Sequence, residues 1–154
     1  MNQEITASQV KELRQRTGIG LMDAKRALVE AAGDMEKAIS ILQAKGASVM
    51  AKKADRTASD GVIETYVHNN KIGVMVEVNC ETDFVARNPE FRNFAHEVAL
   101  QIASMRPATV EELLAQPFIK APSQTMSDLL TALVQKIGEK IVIERFERYE
   151  LGGE

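Results

Sequence analysis

The chain has 154 residues, 45% hydrophobic and 27% charged, a globular composition that excludes disorder as its main state. Its 19 basic and 22 acidic residues leave a net charge of −3, which excludes a dominant electrostatic grip on nucleic acid, since that needs a strongly basic face. No apolar run approaches the roughly 20 residues that span a bilayer, the opening MNQEITASQV lacks a signal layout, and the single Cys80 forms no intrachain disulfide. A soluble protein of a reducing interior is expected.

Residues 1–46 read as three short helices. Thr6-Ala-Ser-Gln9 fits a reciprocal cap, after which Val10 and Leu13 share one face and Gly18 and Gly20 interrupt. A second helix, about 22–32, carries Ala24, Ala27, Leu28 and Ala31 at helical spacing and ends at Gly33. Asp34 caps a third, with Met35, Ala38, Ile41 and Leu42 inward, and Gly46 is expected to close it. So small a bundle buries little apolar area and needs support from the body or a partner. Residues 1–56 carry a net charge of +3 and residues 57–154 one of −6, and the pattern changes from helical to alternating at the same place. Residues 47–60, with Lys52, Lys53 and Arg56, are read as a solvated linker.

The body, residues 61–154, opens with a hairpin. Val62–Val67 is the first strand, His68–Lys71 the turn, and Ile72, Val74, Val76, Val78 and Cys80 line one face of the second strand. Asn88-Pro89 opens a helix with Phe91, Phe94, Ala95, Val98 and Ile102 on its apolar side, stopped by Pro107. A short turn of helix from Thr109 and a proline-bounded segment, 116–122, precede the strongest helical signal, Met126 to Ile137, which Gly138 ends. Ile141–Phe146 supplies a last strand, apolar at both parities: Ile141 and Ile143 on one, Val142 and Phe146 on the other. These elements predict an α+β body with helices on one face of a small antiparallel sheet. A strand apolar on both faces also predicts cover on both.

Chemical motifs are sparse. Gly18-Ile-Gly20 lacks the third glycine and preceding strand of a phosphate loop. Two histidines, His68 and His96, exclude a multi-histidine metal site, and neither metal nor cofactor is expected. Cys80 with His96 as its base is the imaginable enzyme, but Cys80 continues an apolar strand face, where a thiol is inert packing. The informative segment is Asn79-Cys-Glu-Thr-Asp-Phe-Val-Ala-Arg-Asn88. An acidic residue beside a phenylalanine in a connection suits protein recognition, while strict alternation would instead turn Phe84 into the core. The pattern alone leaves both open.

The chain resembles the bacterial elongation factor Ts family, nucleotide exchange factors of the GTPase elongation factor Tu. Val10-Lys-Glu-Leu-Arg with Arg16-Thr-Gly18, then Gly20-Leu-Met-Asp-Ala-Lys25, is similar to that family's opening. Asn79 to Arg87 is similar to its central motif, and Lys136-Ile-Gly-Glu-Lys-Ile141 with Arg145-Phe146 to its close. The resemblance implies a ubiquitin-associated-type bundle at 1–46 and half of a dimerisation core at 61–154. It implies exchange without covalent chemistry: Thr82, Asp83, Phe84 and Val85 push toward the GTPase's magnesium site, Phe84 as wedge and Asp83 as its polar anchor. Arg14, Leu21 and Met22 contact the nucleotide-binding domain, Leu21 standing where methionine is common. The implied partners are elongation factor Tu, GDP-bound or nucleotide-free, and a second copy of the chain, with no nucleic acid or membrane. Glu147 stands where some short members have a bridging cysteine, so the expected homodimer is noncovalent. The implied location is a bacterial cytoplasm, with an organelle as the alternative. Two further readings are a binding module without exchange and a member that binds the GTPase but no longer releases nucleotide.

Overall fold

Thr6 opens the first helix through a reciprocal cap. Its hydroxyl accepts from the Gln9 N–H at 3.2 Å, and the Gln9 side chain accepts from the Thr6 N–H at 2.9 Å. The computed structural model describes residues 4–153 and begins with three helices: α1 (Ala7–Thr17), α2 (Leu21–Glu30) and α3 (Met35–Lys53). Their shared core is built from Leu13, Leu28 and several alanines, among them Ala24, Ala27 and Ala38. The alanines let the helix axes approach closely, and Ile19 plugs the α1–α2 turn.

The third helix does not end at Gly46 as the sequence suggested. It continues to Lys53, and Gly46 is buried in its middle. A Cβ there would lie 2.5 Å from Thr131 Cγ2. The glycine marks a close approach to a later helix rather than a stop. Glycine inside a helix costs roughly 0.5–1 kcal/mol against alanine, which the packing it permits offsets. Residues 47–53 of the expected connector are therefore helical.

Beyond it, β1 (Asp60–His68) and β2 (Ile72–Cys80) form an antiparallel hairpin. Asn69 and Asn70, both left-handed at φ of 51° and 56°, lie in its three-residue turn, which the Lys71 N–H closes by donating to His68 O at 2.9 Å. Then follow α4 (Asp83–Ala86), α5 (Pro89–Met105), α6 (Val110–Ala115), β3 (Pro117–Phe118), β4 (Ala121–Thr125), α7 (Met126–Ile137) and β5 (Val142–Glu150). The main sheet has the order β1-β2-β5, antiparallel throughout, and β3-β4 is a separate small hairpin where the sequence suggested only a proline-bounded connection. Buried Gln101 holds that hairpin: its amide donates to Pro117 O at 3.0 Å, and its oxygen accepts from Ile119 N at 3.0 Å. Val74, Val76, Val78 and Cys80 face Phe91, Phe94, Val98 and Ile102 across the α5–sheet interface. The α+β class is the one the sequence predicted.

Register corrects the reading of the last strand. Val78 pairs with Ile143, Glu77 with Arg145 and Val76 with Phe146, so a bulge passes over Glu144. Phe146 thereby returns to the same face as Ile143 and packs on the core. Of the two residues that simple alternation put on the second apolar parity, only Val142 stays opposite Ile143. That other face also carries Ile63, Val67, Met75 and Tyr149, all exposed, beside the Arg145–Glu77 ion pair at 2.8 Å.

Candidate functional site

The sheet's even-numbered alternation stops at Cys80, because Thr82 starts a helix instead of continuing the strand. The Thr82 hydroxyl accepts from Val85 N at 3.3 Å, capping the single turn of α4. Helical geometry, not strand parity, then sets where the next side chains go. Ala86 is buried and Val85 packs half-buried against the core, while Phe84 is 79% exposed. Of the pattern's two options for Phe84, the structure takes the outward one.

The exposed ring is held from one side. Asp83 pairs with Arg87 one turn later at 2.8 Å. The Arg87 guanidinium carbon lies 5.8 Å from the Phe84 ring centroid, within cation–π range. Asp83 thus acts on the ring through Arg87, a residue the sequence reading quoted within its motif without a role. The spacing of four between Asp83 and Arg87 was the available signal. Behind them, Arg92 Nε donates to Ala86 O at 3.2 Å and ties α4 to α5.

A second connection grips the base of this turn. Glu139, between α7 and β5, accepts from Glu81 N at 3.1 Å, Thr82 N at 3.0 Å and Thr82 Oγ1 at 2.7 Å. Glu81 answers by accepting from Lys140 N at 2.9 Å. Nothing in local periodicity marks this crossing, since the partners lie more than 50 residues apart.

Arg14, Leu21 and Met22 lie on the other core. All three are exposed, Leu21 and Met22 at 55% and 58% in the first turn of α2. Arg14 makes no ion pair among the described residues. They cluster around the Gly18-Ile19-Gly20 turn, with α1 and α2 packed on each other and on α3, whereas α4 packs on β1, β2 and α5. The two cores are joined through buried Gln124, whose amide donates to Gln15 O at 3.0 Å. Gly18, the left-handed cap of α1 at φ 74°, sits against that side chain, and a Cβ there would come 2.8 Å from Gln124 Oε1.

Cys80 is fully buried, and its thiol donates to Thr82 O at 3.2 Å. Burial, reinforced by the negative charges of Glu139 and Asp60, pushes its pKa up to about 11. A thiol so poorly ionised is a weak nucleophile. His96 faces Glu64, at 3.7 Å, and stands edge-on to Tyr66. No cluster of metal-ligating side chains occurs among the described residues, and none of their helices is long and apolar enough to cross a membrane.

Comparison with known proteins gives one consistent result. A family model described as elongation factor TS matches residues 81–154. The chain is 46% identical to elongation factor Ts of Carboxydothermus hydrogenoformans, with 96% of this chain and 89% of that protein covered. Against elongation factor Ts of Alkaliphilus oremlandii the identity is 43%, covering 97% and 90%. Against the protein of that name from Clostridium kluyveri it is 52%, over 94% of this chain but 47% of the other. The first of these alignments runs over 194 positions, more than the 154 residues of this chain, so that relative carries residues absent here.

Proposed function

The chain belongs to the elongation factor Ts family, and from that premise we propose that it binds elongation factor Tu·GDP and promotes GDP release. The observation that carries this reading is Phe84, an almost fully exposed ring on a turn whose backbone is tied down from two sides. An exposed phenylalanine on a fixed base is a wedge with little ordering entropy left to lose on binding. Asp83 and Arg87 hold one side of the ring, while Thr82 and Val85 fix the backbone that carries it.

Insertion of this turn beside the partner's magnesium site weakens GDP, because magnesium screens the diphosphate charge and its displacement leaves that charge less compensated. Arg14, Leu21 and Met22 supply a separate grip on the nucleotide-binding domain, one cationic and two apolar contacts. Nucleotide-free and GDP-bound partner are both bound, with reciprocal coupling: the factor lowers nucleotide affinity by the ratio that nucleotide lowers the factor's. No covalent step and no cofactor is involved, and the working compartment is the cytoplasm. Residues 1–46 and 61–154 act as separate functional units across the 47–60 connector, which the two distinct apolar clusters support. A noncovalent homodimer covers the exposed sheet face of Ile63, Val67, Met75 and Tyr149. A two-fold axis is the usual arrangement for such a pair, and Glu147 offers no disulfide.

The residues that a relative has and this chain lacks favour one second reading, binding without exchange. Release of fluorescent GDP from elongation factor Tu separates the two, since a mere binder leaves the dissociation rate at its basal value. Within the exchange reading, Phe84→Ala lowers the release rate at saturating factor, and Met22→Ala raises the concentration needed to saturate. Both variants affecting only the second quantity would sink the wedge assignment.

A further inference from the structure

A one-turn helix has no stability of its own, so something outside α4 must decide where Phe84 points. Resting on the wedge reading above, we propose that Glu139 is a positioning residue for exchange: its carboxylate, reaching from the α7–β5 connection, sets the direction of the turn that carries Phe84.

Three donors converge on this carboxylate. One oxygen takes the N–H groups of Glu81 and Thr82, and the other takes the Thr82 hydroxyl proton at 2.7 Å. These are hydrogen bonds to an ionisable acceptor, stronger than neutral ones when it is charged. Their effect passes along one atom: with its proton committed to Glu139, the Thr82 oxygen has lone pairs aimed at Val85 N, which it caps at 3.3 Å. Removing Glu139 frees the hydroxyl to rotate and leaves two amides at the base of the turn without their acceptor.

The arrangement is doubled. Glu81 accepts from Lys140 N at 2.9 Å and meets the Arg56 guanidinium at 3.4 Å. The Lys140 ammonium donates to the carbonyls of Ala54 and Arg56 at 2.7 and 3.1 Å. The wedge is thereby indexed to the last strand and to the end of the N-terminal helices together. Glu139 acts on Phe84 through Thr82, whose amide and hydroxyl it holds.

The test is GDP release from elongation factor Tu over a range of factor concentrations. Glu139→Ala lowers the maximal rate roughly tenfold to a hundredfold, the range expected for lost hydrogen bonds to a charged acceptor. The half-saturating concentration moves less than about twofold, because the grip of the N-terminal helices is untouched. Glu139→Gln, which retains an oxygen for the two amides, recovers part of the rate. Thr82→Val, close to isosteric, reproduces the split and carries the test should Glu139→Ala not fold. In the double variant with Phe84→Ala, Glu139→Ala costs nothing further, since a direction without a ring has no effect. Wild-type release by both Glu139→Ala and Thr82→Val, or a full additional loss in the double variant, overturns the proposal. Should Phe84→Ala itself release GDP at the wild-type rate, the wedge reading fails instead.

Discussion

Truncating two phenylalanines seven residues apart should separate recognition from stability. Phe84 is 79% exposed and Phe91 is fully buried against the sheet. With about a fifth of a ring of roughly 200 Å² buried, Phe84→Ala forfeits about 1 kcal/mol at ~25 cal/mol per Å². Loss of the Arg87 contact adds roughly 0.5 kcal/mol, which alanine's better helix propensity offsets by about the same amount. Phe91→Ala opens a cavity and costs about 3–5 kcal/mol. At ~3 °C per kcal/mol for a chain of this size, the melting temperature falls by about 3 °C in the first variant and about 9–15 °C in the second. Circular dichroism melts give these shifts, and GDP release at 20–25 °C gives the activity. Phe84→Ala should lose exchange while melting almost normally, and Phe91→Ala should retain exchange wherever it remains folded. A Phe84→Ala melt as low as that of Phe91→Ala would refute the argument, because the ring would then be part of the core.

Gly46→Leu should drive α3 and α7 apart, since even a Cβ meets Thr131 at 2.5 Å; limited proteolysis between the two cores should accelerate, and an unchanged digest would contradict the close approach. Cys80 should react slowly with an aromatic disulfide at neutral pH and only as fast as unfolding permits. Its raised pKa also carries a sign: below about pH 9 both folded and unfolded thiols are protonated, while from there to about 11 only the unfolded one ionises, so stability falls across that window. Denaturant midpoints flat from pH 8 to 11 for wild type, or an equal fall for Cys80→Ala, would refute this. Sedimentation equilibrium at micromolar concentration should report a dimer indifferent to reductant; a 17.0 kDa species throughout would contradict it.

Much of the fold follows from local chemistry. The caps at Thr6, Asp34, Asn88 and Thr125 and the left-handed ends at Gly18 and Gly138 act through neighbours in sequence, so a reader of the sequence can find them. Three features escape that reading because their causes are distant. Gly46 reads as a stop unless Thr131, on another helix, is known to press against it. Phe146 reads as outward because the bulge at Glu144 is a property of pairing with β2, not of β5 alone. The clasp of Glu139 and Glu81 joins two connections whose residues show no shared pattern. At the site, composition suggested recognition by Phe84 without deciding its direction. The decision comes from Thr82, which ends the strand's parity by starting a helix.

The proposed function requires that this chain accelerate nucleotide release. Stopped-flow fluorescence of labelled GDP leaving elongation factor Tu, with excess unlabelled GDP and increasing amounts of this protein, measures that directly. The predicted result is a release rate that rises with factor concentration and saturates, and that excess magnesium suppresses. A rate fixed at the basal value while the factor is shown to bind would contradict the account and leave a binding module in its place.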